Sequence, residues 1–121
     1  MWRVITRRRA IITSPAGGKA VSDCFAELGI GITESQASGS SDIGNVDYIC
    51  PAFHPMMSIG QALFCHTAEF GQAMTGAGVH KAIVDSAKLL LSLIFKLYGD
   101  PAVLAELQRQ HREYRGKDTS P

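Results

Sequence analysis

The sequence predicts an α/β chain, in which short strands accompany an amphipathic helix near residues 19–28 and two C-terminal helices at 79–98 and 101–115. Three observations predict it. From Val79 to Tyr98, apolar residues fill every part of the helical wheel except one polar stripe. Gly99, Asp100 and Pro101 then stop that helix and open another. Between residues 46 and 59, brief β-branched or apolar runs are broken by Pro51, Pro55 and, just after them, Gly60, the punctuation of short strands.

Length and composition set the frame. A chain of 121 residues with 45% hydrophobic content suits one modest globular core. A net charge of +1 gives no reason to expect nucleic acid as a partner. The charge is uneven: residues 1–22 hold Arg3, Arg7, Arg8, Arg9 and Lys19 without an acid, and the remainder carries seven basic against eleven acidic residues. We divide the chain into a basic N-terminal segment, 1–18, and a folded part, 19–121. The segment reads as a solvated basic tail, with an organellar transit function for residues 1–22 as the alternative.

Cys24, Cys50 and Cys65 are odd in number and follow no secretory leader pattern, which favours reduced thiols and a cytoplasmic setting. The longest apolar run, Leu89–Phe95, is interrupted by Ser92 and falls short of the roughly 20 residues that span a bilayer, so no membrane partner is expected.

Taken in order, Trp2–Ile5 and Ala10–Thr13 are candidate edge strands flanking the arginines. Ser14–Gly18 reads as a loop. Val21, Cys24, Phe25 and Leu28 then follow helical spacing, and Gly29 stands where a helix hands over to a left-handed residue. Residues 31–41 are rich in Gly, Ser, Thr and Gln and read as a connection. Val46–Cys50 and Pro55–Ile59 are the short strands, with both prolines at strand ends or on an edge because proline cannot donate to a ladder.

In the long helix Lys81, Asp85, Lys88, Ser92 and Lys96 form the wet stripe. Ala82, Ile83, Ala87, Leu90, Leu91, Ile94 and Leu97 occupy the rest, so the helix should be largely buried. Asp100 is placed to cap the final helix, with Pro101 at its first position. Val103, Leu104, Leu107, His111 and Tyr114 line one side of that helix.

The chemistry-bearing residues concentrate between Gly39 and Phe70, which holds His54, His66, Cys50, Cys65, Asp42 and Asp47 among turn formers. An imidazole such as His66 or His54 can bind a metal or shuttle a proton, but a lone histidine is more often a hydrogen-bonded structural group. Cys50, His54, Cys65 and His66 lack the paired spacings of a tetrahedral zinc site. Asp42 suits either a tight turn or a pocket wall. No nucleophile elbow, phosphate loop, H-E-x-x-H or dinucleotide fingerprint is present, so spacing alone names no reaction.

Gly39-Ser40-Ser41-Asp42-Ile43-Gly44-Asn45-Val46, the Pro51-Ala52-x-His54-Pro55 segment, Ile59-Gly60 and His66-Thr67-x-Glu69-Phe70 together resemble the C-terminal end of M20-family metallopeptidases. The amidohydrolase branch with aminobenzoyl-glutamate utilisation proteins and M20 domain-containing protein 2 dipeptidases is the most similar. The resemblance runs from about Ala20 to about Tyr114. It implies the C-terminal portion of a zinc-peptidase-like α/β sandwich and a parent reaction in which two metal ions, zinc or manganese, activate water for hydrolysis of an N-acyl amino acid or dipeptide.

By the same resemblance His66 matches a late metal-ligand histidine, and Gly39, Ser41 and Asp42 match a Gly-Ser-Thr-Asp loop beside the substrate, with Ser41 in place of threonine. His54 matches a branch-specific His-Pro, whose role is packing or support of a ligand. The early metal motif, the paired glutamates and the lid domain of such enzymes have no counterpart. One histidine cannot hold two metals. The leading expectation is therefore a partial hydrolase without activity of its own. A subunit completed by a separate M20 N-terminal polypeptide and a non-enzymatic domain for self-association or partner binding are the alternatives.

Overall fold

The structure, a computed structural model, describes residues 14–32 and 42–117. It consists of α1 (Pro15–Glu27), α2 (Ile43–Asp47), α3 (Ala68–Ala73), α4 (Ala77–Gly99) and α5 (Pro101–Lys117), and no strand occurs among the described residues. The expected α/β sandwich is thus replaced by helices α1, α4 and α5, each packed against the other two. The expected strands at Trp2–Ile5 and Ala10–Thr13 lie outside the described residues, as do residues 33–41 of the connection.

Local hydrogen bonding explains why the two central strands do not form. Asp42 O accepts from Asn45 N at 2.8 Å, Gly44 O from Tyr48 N at 3.2 Å, and Val46 O from both Ile49 N and Cys50 N. The amides that a strand would offer to a neighbour are consumed three and four residues back. Pro51 and Pro55 supply no donor, and two short strands without a third are marginal in water. Residues 51–59 instead run irregularly, placing Phe53 and Met57 against the helical core.

Helix α1 begins earlier than its periodicity indicates, because the expected loop Ser14–Gly18 is a capped first turn. The Ser14 hydroxyl accepts Gly17 N at 3.1 Å, and Pro15 occupies a position where a missing N–H is harmless. At the other end Gly29 adopts φ +66°. Its amide reaches Ala26 O at 3.0 Å and Ile30 N reaches Phe25 O at 2.9 Å, the two bonds of a Schellman motif. Ile30 also packs on the cluster that contains Phe25, which adds the apolar contact such an ending usually carries.

Ala20, Cys24 and Phe25 of α1 meet Leu89 and Leu93 of α4 to form the core. Asp100 joins α4 to α5 without a loop: it ends the first helix, and its carboxylate accepts Ala102 N at 2.9 Å at the start of the second. Helix α5 buries Leu107 and His111, and its Gln110 side chain accepts Ala16 N at 2.9 Å, tying it to the first turn of α1.

The polar stripe of α4 is not simply wet. Ser92 and Lys96 turn toward α1, where the Glu27 carboxylate accepts from Lys96 Nζ at 2.7 Å and Ser92 Oγ at 3.3 Å. Ile83, Leu90, Leu91 and Ile94, expected to be covered, are exposed instead. With no sheet among the described residues to lie on, α4 buries one apolar face and leaves a second facing solvent. No helix among the described residues is long and apolar enough to cross a membrane.

Candidate functional site

Residue 66 is the one non-glycine residue with positive φ among the described residues, at +66°. The left-handed turn follows from the residues on either side. Thr67 Oγ1 donates to Phe64 O at 2.9 Å and accepts Phe70 N at 3.1 Å, so one hydroxyl both closes the Phe64–Thr67 turn and caps α3. Glu69 lies in the first turn of that helix, where a carboxylate favours the macrodipole. His66 is pushed outward between these two bonds. It is exposed, and no described residue is bonded to its imidazole.

His54 lies in the irregular segment 51–59, exposed at the edge of a cavity of about 220 Å³. Phe53, Pro55, Met56, Met57, Leu89 and Leu90 line it with apolar side chains, and His54 and Ser86 are its polar members. It brings no acid and base together on one reacting atom.

Asp42 is exposed at the start of α2 and makes no capping bond there through its carboxylate. Gly39 and Ser41 lie outside the described residues. Nowhere among the described residues do three His, Cys, Asp or Glu side chains gather as a metal ion would require. His66, His54 and Asp42 thus form no such group, and the described residues by themselves do not make a two-metal centre. Cys24 is buried, while Cys50 and Cys65 are exposed free thiols.

What the fold does bring together is a pair that residue spacing could not nominate. Asp47 and His111 are both buried, 64 residues apart in sequence. His111 Nε2 donates to Asp47 O at 2.6 Å and lies 3.7 Å from Asp47 Oδ1, while that same oxygen accepts Ala52 N at 3.1 Å. The proton must therefore reside on Nε2. Beside the pair, the Arg115 guanidinium lies 3.5 Å from the centre of the Tyr48 ring. The signal in the sequence was the alignment of His111 with Leu107 on one side of α5; its partner became visible only in three dimensions. Closed off from solvent, the pair fastens the α2 turn to α5 and is not open to a substrate.

Electrostatics elsewhere belong to the helix surfaces. Hydrogen bonding from Arg109, supplemented by Gln110, pulls the Glu106 carboxyl down to about 2. The Lys96 ammonium hydrogen-bonded to Glu27 lowers the Glu27 pKa and raises its own. Neither group adjoins His66 or His54 in sequence.

Over 75 residues the chain is 28% identical to Xaa-Arg dipeptidase of Mus musculus, a match that takes in 62% of this chain and 17% of that protein. The chain thus spans a small part of the length of the curated relative it matches. Similarity of this extent marks a distant relationship to an M20-type dipeptidase. No family model matches, and no solved structure does.

Proposed function

We propose that the chain is a partial relative of M20-type metal-dependent dipeptidases, retaining the histidine corner of the ancestral site and having no amide hydrolase activity by itself. The parent reaction is hydrolysis of the amide bond in a dipeptide or N-acyl amino acid. The observation that carries this reading is the His66 turn. A bulky residue is held in a left-handed conformation with its imidazole exposed, directly before a threonine-capped helix, in a segment that resembles the family's late ligand motif. A structural histidine would be buried and bonded, as His111 is.

Inactivity rests on the resemblance: a hydrolytic two-metal site needs several ligands and a carboxylate base converging on one water, and the early metal motif and paired glutamates of the family have no counterpart in the sequence.

The test is turnover of a panel of dipeptides, including those with C-terminal arginine, by the purified chain with Zn²⁺ or Mn²⁺ added. The expected result is no cleavage above that of the metal alone. Multiple turnovers that vanish in His66→Ala would overturn the proposal.

A further inference from the structure

Helix α4 carries a second apolar face with a regular spacing. Val84, Ala87, Leu91, Ile94 and Tyr98 are all exposed and recur at intervals of three, four, three and four, the spacing of a coiled-coil seam. Ile83, Leu90 and Phe95 flank them, also exposed, and Lys88 is the charged residue at the margin. Ile83 is 61% exposed, Phe95 74% and Tyr98 76%. These side chains together present on the order of 800 Å² of surface, about what each partner contributes to a standard stable interface. That exceeds the roughly 300–600 Å² of the largest apolar patch on an ordinary monomer.

The distribution of size along the face identifies the occupant. Its N-terminal half carries the small members, Val84 and Ala87, and its C-terminal half the large ones, Ile94 and Tyr98, with Leu91 between them. Reversed end for end, the face complements itself: Val84 meets Tyr98, Ala87 meets Ile94, and Leu91 meets its own copy on the two-fold axis. A parallel pairing would oppose Ala87 to Ala87 and Tyr98 to Tyr98, leaving a void beside a crowded layer, and would bring Lys88 beside Lys88. Antiparallel packing also opposes the two helix dipoles favourably.

We infer that a second copy of this chain docks on α4, giving a two-fold dimer built on an antiparallel α4–α4 seam. Both copies use the same patch, so the interface closes and the assembly stops at two. The inference rests on α4 alone and does not depend on the hydrolase reading.

The experiment is the solution mass of the whole chain by light scattering over a concentration series, followed by cross-linking. The expected mass is that of two chains, falling to one in Leu91→Glu and in Phe95→Glu, with helical circular dichroism retained because both side chains are exposed. In a background with Cys50 and Cys65 changed to serine, Leu91→Cys should form an intermolecular disulfide under mild oxidation. Ile83→Cys should not, because the two copies of residue 83 are about 24 Å apart along the helix axis in the antiparallel arrangement. A monomer at every concentration overturns the inference. So does a dimer that survives both glutamate substitutions, one that cross-links through Ile83→Cys, or a monomer whose α4 face is protected by a different polypeptide.

Discussion

The imidazole of His111 donates a 2.6 Å hydrogen bond to the main-chain carbonyl of Asp47, joining the last helix to the end of α2 across 64 residues. Both residues are buried, and the Asp47 carboxylate in turn holds Ala52 N. The central segment contributes no sheet, so fastenings of this kind position it against the helices. Prolines at 51 and 55 cannot help, because they have no amide to give.

Loss of that donor should therefore destabilise the fold. His111→Phe keeps the volume near its present value but removes one hydrogen bond to the buried Asp47 carbonyl, at a cost of roughly 0.5–1.5 kcal/mol. Urea unfolding followed by circular dichroism measures it. A Phe variant as stable as the parent would show that packing, not the hydrogen bond, holds the segment.

Gly17 is needed for a close approach. A Cβ there would collide with the Phe53 ring edge and lie 3.1 Å from Leu107 Cδ1. Gly17→Ala should cost about 1–3 kcal/mol by overpacking, despite alanine's better helix propensity. Adding Phe53→Leu to the alanine variant should recover part of the loss, a coupling that a double-mutant cycle reads directly.

Relief of strain is expected at the proposed site. His66→Gly removes the Cβ clash of the left-handed conformation, worth roughly 1–2 kcal/mol, against an entropic cost of about 0.5–1 kcal/mol for glycine. The net is a stabilisation of about 0–1.5 kcal/mol. Denaturant midpoints compared with His66→Ala, which keeps the clash, provide the check. A glycine variant less stable than the alanine one would mean that residue 66 is not held left-handed in solution.

The Glu27–Lys96 pair should appear as two limbs in a stability profile. Hydrogen bonding to Lys96 lowers the Glu27 carboxyl from its usual 4.5, so its contribution is full above that value and fades as pH falls through the depressed one. Hydrogen bonding to Glu27 raises Lys96 from 10.5, so that contribution is full below 10.5 and fades as pH climbs through the raised value. The expected effect is small, because both groups meet solvent, and it should shrink further with salt. Thermal midpoints of the parent and Glu27→Gln should differ at neutral pH and converge toward both extremes.

The sequence alone located the three longer helices, α1, α4 and α5, but not the short α2 and α3 or the first turn of α1. Spacing in α4 and α5, Gly29 at the end of α1, and Asp100-Pro101 between the last two are signals carried within a few residues, and each appears in the structure as read. It also singled out the His66-Thr67 segment, because its types and order resemble those of a known family. Only the tertiary structure decided the rest. A strand needs a partner that its own residues cannot provide, so Val46–Cys50, read from composition as a strand, satisfied its amides within its own chain and turned. Which apolar face of α4 is buried depended on where α1 and α5 packed. Whether Asp47 would meet His111 depended on contacts far apart in sequence, and so did any gathering of His66, His54 and Asp42: the first pair met, and the three form no metal-holding group among the described residues.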